Sequence, residues 1–179
     1  RLRRVEKIGM ALFGGKKKTS IGIDIGTSSV KVVELGSRDK DEVELTNYGE
    51  YDVSIGSALH SISVRLSVSE AADIIQQIMR EAQIVRAEAA MSIPISSGFS
   101  TTISMPNIPD TELEQAVTFE AKKYIPLPLS EVQFEWVRIN NRAGAREETL
   151  EVLVVAATKE LVTKYNSIAK LCNIALKYL

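Results

Sequence analysis

A chain of 179 residues has room for one ordinary domain or two small ones, and an apolar content of 45% is enough to bury a core. Charged residues make up 25% and the net charge is −1, values of a globular protein rather than of a disordered acidic or basic chain. A single cysteine, Cys172, excludes an internal disulfide, and no stretch reaches the roughly 18 apolar residues that a membrane span needs. With no secretory pattern, the expectation is a cytoplasmic protein.

In chain order, residues 1–18 come first, with seven basic side chains against Glu6. Without interleaved aromatics or a folded basic face they make no nucleic-acid site, and they read as a solvated, mobile tail. Met10-Ala-Leu-Phe-Gly-Gly-Lys-Lys-Lys has the form of a natural start, so residues 1–9 read as upstream read-through or a cloning scar. Gly9-x-x-x-x-Gly14 misses a P-loop by one position, because Gly15 stands where Lys is required and no strand precedes it. Leu12 and Phe13 beside Lys16–Lys18 are too short a segment for a stable amphipathic anchor.

Ile21, Ile23 and Ile25 alternate with small or polar residues, the period of a half-buried strand. Val30 to Leu35 is a second β-rich run, and Gly26-Thr27-Ser28-Ser29 between them is a tight turn. Gly36 to Asp41 reads as a polar turn, followed by a third strand through Val43, Leu45 and Tyr48–Val53, antiparallel to the second. A loop over 54–66 holds the only histidine, His60, which reads as a surface residue because no Cys or second His lies near it. Ser67-Val-Ser-Glu70 is a capping box, and Ala71, Ile74, Ile75, Ile78, Met79 and Ala82 continue it as an amphipathic helix. Ala89–Ile95 is a strand that stops at Pro94.

The pattern changes at Ser96-Ser97-Gly98. Phe99–Met105 reads as a strand, and Asp110 as the cap of a helix with Leu113, Ala116, Val117, Ala121 and Tyr124 on one face. Pro126 and Pro128 end that helix. Val132–Ile139, with Trp136, is a strand, Asn140–Arg146 a hairpin loop, and Leu150–Ala156 a buried strand. Thr158 then caps a helix with Leu161, Val162, Tyr165, Ile168, Ala169 and Cys172 inward, which makes Cys172 a packed core thiol. Asn173–Leu179 looks like the start of one more strand.

Chemistry concentrates at the first hairpin. Backbone N–H groups in a Gly-containing turn can converge on an anion, and Thr27, Ser28 and Ser29 add hydroxyl donors. Lys31 supplies a point charge for a phosphate. Asp24 can hold Mg²⁺ through water, since Mg²⁺ dehydrates reluctantly. An ordinary hairpin with solvated Asp and Lys is the alternative for Asp-x-Gly-Thr alone. The longer run Asp24-x-Gly26-Thr27-x-x-x-Lys31, flanked by apolar strands, resembles the first phosphate-binding hairpin of the actin-like ATPase superfamily. G-I-D-I-G-T-S-S-V-K-V-V-E-L is most similar to the PilM family of type IV pilus assembly proteins, with the FtsA cell-division family as nearest relative. S-M-P-N-I-P-D and K-K-Y-I-P-L-P, on either side of the helix after Asp110, carry the resemblance into the second unit.

The resemblance implies an α/β fold: an actin-like (ribonuclease-H-like) first half-lobe over 19–96, with an inserted β-α-β-β-α α+β subdomain over 97–173. Residues 174–179 would open a return strand, in a chain truncated before the second lobe. It implies ATP and Mg²⁺ as ligands, with Gly26, Thr27, Ser28, Ser29 and Lys31 on the phosphates and Asp24 on Mg²⁺ through water; no catalytic residue is assigned. The implied role is a cytoplasmic nucleotide-binding scaffold, held at the inner membrane through its partner in the pilus assembly complex. That partner is the cytoplasmic N-terminal peptide of PilN, gripped between the two units; the segments Ser96–Met105 and Ile125–Leu129 are either part of that groove or plain connectors. No second Asp-x-Gly occurs in the chain, so weak ATP binding without hydrolysis is expected of it alone. The alternatives are an FtsA-like division protein and an actin-like ATPase whose turnover is central.

Overall fold

Alternating isoleucines and valines build the first sheet, as seen in a computed structural model that describes residues 2–7, 19–39, 42–53, 66–85, 88–139 and 149–179. Strand β1 covers Leu2–Lys7 and β2 covers Thr19–Ile25, which buries Ile21, Ile23 and Ile25. Strands β3 (Ser29–Asp39) and β4 (Glu42–Asp52) complete an antiparallel meander with β2. Gly22 allows β2 and β3 to approach closely, since a Cβ there would lie 3.0 Å from Val33 Cγ2. Strand β5 (Glu88–Ser92) runs parallel to β2.

Two expectations are corrected in this sheet. Residues 2–7 do not form a solvated tail; they pair antiparallel with β4 at the sheet edge. The physical reason is that an edge strand offers a row of unpaired N–H and C=O groups to any extended segment. Nor does the chain turn from Gly36: β3 continues to Asp39, with register shifts at Glu34/Leu35 and Ser37/Asp39. Ladder pairing here overrides a polar composition. Residues 8–18 with Met10, the loop carrying His60 and the loop at 140–148 lie outside the described residues.

The capping box forms as the sequence implies. Helix α1 (Val68–Glu81) starts with the Glu70 N–H donating to Ser67 Oγ at 3.2 Å and the Ser67 N–H donating to Glu70 Oε2 at 2.9 Å. The Ser67 hydroxyl also donates to Glu70 Oε2 at 2.7 Å, and this bond, with the one from the Ser67 N–H, favours the ionised form and holds the Glu70 carboxyl below its ordinary range. The helix buries Ala71, Ala72, Ile75, Ile78 and Met79.

The second unit is built on strands β6 (Gly98–Pro106), β7 (Val132–Ile139) and β8 (Thr149–Thr158), ordered β6-β8-β7 and antiparallel throughout. Ile103, Met105, Leu150, Val152 and Val154 from the sheet pack with Leu113, Val117 and Ala121 of helix α2 (Asp110–Ala121). Asp110 does not cap that helix. Pro109 occupies the cap position without a side-chain bond, and Asp110 accepts instead from Arg138 at 2.7 Å. Tyr124 is also off the buried face: the helix ends at Ala121, and Tyr124 is exposed.

Helix α3 (Lys159–Leu171) is entered through the expected cap, with the Leu161 N–H donating to Thr158 Oγ1 at 3.2 Å. The sequence reading closes the second unit at 173. By contact, the second unit is Ile95–Val162, and Thr163–Leu179 groups with the residues up to Pro94. The apolar stripe of α3 explains this. Tyr165, Ile168 and Ala169 are buried, Tyr165 and Ile168 lining a small hollow with Ile25 and Ala71. Cys172 Sγ lies 3.6 Å from the Ala72 carbonyl, and the Gln76 amide donates to the Leu171 carbonyl at 2.8 Å. After α3, strand β9 (Ala175–Tyr178) adds parallel to β5, so the larger sheet runs β1-β4-β3-β2-β5-β9.

Burial, with a smaller contribution from the Asp73 charge, pushes the Cys172 thiol up to about 11. Since the thiolate is the reactive form, a disulfide reagent at pH 8 should label Cys172 about a hundredfold more slowly than a free cysteine peptide. The rate should recover in denaturant. Labelling of native protein at the peptide rate would mean that α3 does not pack as described.

Among the described residues, no helix is long and apolar enough to cross a membrane.

Candidate functional site

The hairpin singled out in the sequence stands where two parallel strands end. Asp24 of β2 is in register with Ser92 of β5, at the carboxyl ends of both strands. Open α/β sheets bind ligands there, because the strand ends leave a crevice flanked by loops.

The turn that follows is closed by its own backbone. The Gly26 N–H donates to the Ser29 carbonyl at 2.9 Å, and the Val53 N–H donates to the Ser28 carbonyl at 2.9 Å, tying the tip to the end of β4. A Cβ on Gly26 would sit 3.0 Å from the Ser29 carbonyl oxygen and 3.4 Å from Asp24 Oδ2. Glycine therefore lets the turn close and keeps one Asp24 oxygen uncrowded.

These contacts redistribute the expected donors. Gly26 has spent its N–H inside the turn, so its part is to shape the loop. Ser29 is only 6% exposed, which withdraws its hydroxyl from a ligand outside. Thr27 and Ser28 are exposed, and among the described residues their N–H groups have no hydrogen-bond partner. They are the open donors of the loop. Lys31 is opposite Asp24 in the β2–β3 pair and opposite Glu50 in the β3–β4 pair. Ser92, Asp24, Lys31 and Glu50 thus form one cross-strand row. The Lys31 side chain is exposed and, among the described residues, makes no ion pair, which leaves its charge available to an anion.

Two residues near Asp24 were not anticipated from the sequence. The Ser92 hydroxyl donates to Asp24 Oδ1 at 2.5 Å. Its only sequence signal is its place, a small hydroxyl residue ending a strand two positions before Pro94. Tyr165 is the other, and its spacing marks it only as part of an apolar stripe. Burial raises the phenol above its ordinary range, and the Asp24 charge adds to that shift.

The donor set suits a hydrated cation beside a phosphate. Among the described residues no cluster of three or more His, Cys, Asp or Glu could cage a metal. One carboxylate with a free oxygen is what Mg²⁺ accepts when it keeps most of its waters and takes its remaining ligands from a phosphate. Asp24 offers such an oxygen at the start of the turn that carries the open amides of Thr27 and Ser28.

Comparison with known proteins bears on what this arrangement serves. A family model described as type IV pilus assembly protein PilM matches residues 22–178. Among solved structures, a PilM–PilN type IV pilus biogenesis complex superposes with a TM-score of 0.69 at 23% identity, over 88% of this chain and 45% of that one. The cytoplasmic domain of EpsL, an inner-membrane component of the type II secretion system of Vibrio cholerae, gives 0.53 at 12% identity, over 90% of this chain and 56% of that one. The chain thus spans less than half the length of the first of these structures. Both likenesses concern the mixed α/β fold.

Proposed function

The chain belongs to the PilM family of type IV pilus assembly proteins, and from that premise we propose that it acts as a nucleotide-binding scaffold of the inner-membrane pilus assembly complex. The observation that carries the reading is the family match, which takes in both units. The larger sheet is then an actin-like half-lobe, and Ile95–Val162 the subdomain inserted into it: the chain leaves the sheet after β5 and rejoins it through α3 and β9. Its partner is the cytoplasmic N-terminal segment of PilN, by analogy with the complex that the first structural neighbour is named for. Through that partner the protein sits at the cytoplasmic face of the inner membrane. The FtsA-like reading gains no observation of its own.

The hairpin is the phosphate site of this scaffold. Thr27 and Ser28 give amides and hydroxyls to the phosphates of ATP, Lys31 neutralises charge, and Asp24 orders Mg²⁺ through its waters. Bound Mg²⁺ would offset phosphate charge; the chain's own residues orient and bind. With a single phosphate loop in the sequence, few contacts offset the ordering cost of ATP, so binding by this chain is weak and hydrolysis absent.

A titration with the N-terminal cytoplasmic peptide of PilN tests the scaffold role. Calorimetry, with Trp136 fluorescence alongside, should give saturable one-to-one binding at roughly micromolar peptide, the range of a short extended segment that must order as it binds. No heat and no fluorescence change from a chain with native circular dichroism would contradict it.

A further inference from the structure

The geometry points to Ser92 as a positioning residue of the phosphate site, one that fixes the Asp24 carboxylate so that a single oxygen faces the hydrated cation. This rests on the nucleotide reading above and adds a component to it from a different strand. Three observations carry it. The Ser92 hydroxyl donates to Asp24 Oδ1 at 2.5 Å, a short bond to a charged acceptor. The parallel register of β2 and β5 puts the two residues directly opposite each other, so the contact is set by backbone pairing and not by a flexible loop. The other oxygen, Oδ2, lies on the side of Gly26, where a Cβ would come within 3.4 Å of it. One oxygen is tied to the sheet and the other lies on the side of the turn.

A carboxylate on the exposed end of a strand otherwise samples several rotamers, and holding one of them removes an ordering cost when the cation arrives. Ser92 touches neither cation nor phosphate in this account. Its effect should therefore appear only in the part of the affinity that depends on the metal.

The test compares wild type, Ser92→Ala and Ser92→Thr by titrating ¹⁵N-labelled chain with ATP, once with excess Mg²⁺ and once with EDTA, reading the Thr27 and Ser28 amide shifts. Ser92 is exposed, so neither substitution disturbs the core. The expected result is an affinity for ATP in Mg²⁺ about fivefold lower in S92A, an unchanged affinity in EDTA, and recovery of the Mg²⁺ effect in S92T, which retains a hydroxyl. Wild type and S92A with the same Mg²⁺ enhancement would overturn the role of Ser92 while leaving the nucleotide site intact. An equal loss in Mg²⁺ and EDTA would overturn it too, since it would point to a change in the loop. No amide shift in wild type would remove the nucleotide reading and this inference with it.

Discussion

Ile168→Ala should lower the stability of the first unit by about 3 kcal/mol, the cost of a large cavity in a core that relaxes only in part. Ile168 is fully buried, on the stripe of α3 that also carries Tyr165 and Ala169. Its neighbours include Ile25 from the first strand of the meander and Ala71 from α1. The residue is distant in sequence from all of them, so the loss measures whether the returning helix completes the first core. Urea denaturation followed by far-ultraviolet circular dichroism should show the lower midpoint, with Ile168→Val, a smaller truncation, costing about 1 kcal/mol. A change below about 0.5 kcal/mol for the alanine variant is what an exposed position gives, and it would contradict the packing of α3.

Asp24→Asn should abolish the Mg²⁺ enhancement of ATP binding. The amide is nearly isosteric and its oxygen still accepts from Ser92, so the turn and the sheet stay in place. What is lost is the negative charge that orders the waters of the cation. Affinity in Mg²⁺ should fall at least about tenfold, or ~1.4 kcal/mol, toward the value measured in EDTA. In EDTA the variant should bind slightly better than wild type, because a carboxylate beside polyphosphate repels it. A Mg²⁺ effect that survives the substitution would place the cation elsewhere.

Much of this arrangement is legible without coordinates where local chemistry decides it. The alternation of Ile21, Ile23 and Ile25, the Ser67–Glu70 box and the Thr158 cap each specify their element through a few neighbouring residues, and each appears as read. What the sequence hides depends on pairing across distance. Nothing local says that residues 2–7 will lie along β4, since an edge strand accepts many extended segments. The stripe of α3 announces a buried face but not which unit buries it. The contacts of Cys172 with Ala72 and of Leu171 with Gln76 settle that. At the site, the sequence singles out Asp24, Gly26, Thr27, Ser28, Ser29 and Lys31 as a group, and the structure places them on and beside the β2–β3 turn. The division of labour inside the loop is invisible beforehand. That Gly26 spends its N–H on Ser29, and that Ser29 turns inward, follow from how the turn closes. Ser92 is out of reach for the same reason, because its partnership with Asp24 exists only through the parallel register of β2 and β5.

The loop is the point on which the account rests, and the amide spectrum of the uniformly ¹⁵N-labelled chain during addition of ATP with Mg²⁺ tests it most directly. Saturable shifts are expected, at up to millimolar nucleotide, centred on Thr27 and Ser28 and extending to Asp24 and Lys31. Residues of the second unit should stay still. A well-dispersed spectrum in which those four amides do not move, or in which the moving amides cluster on exposed lysines such as Lys122 and Lys123, would contradict a phosphate site at this hairpin.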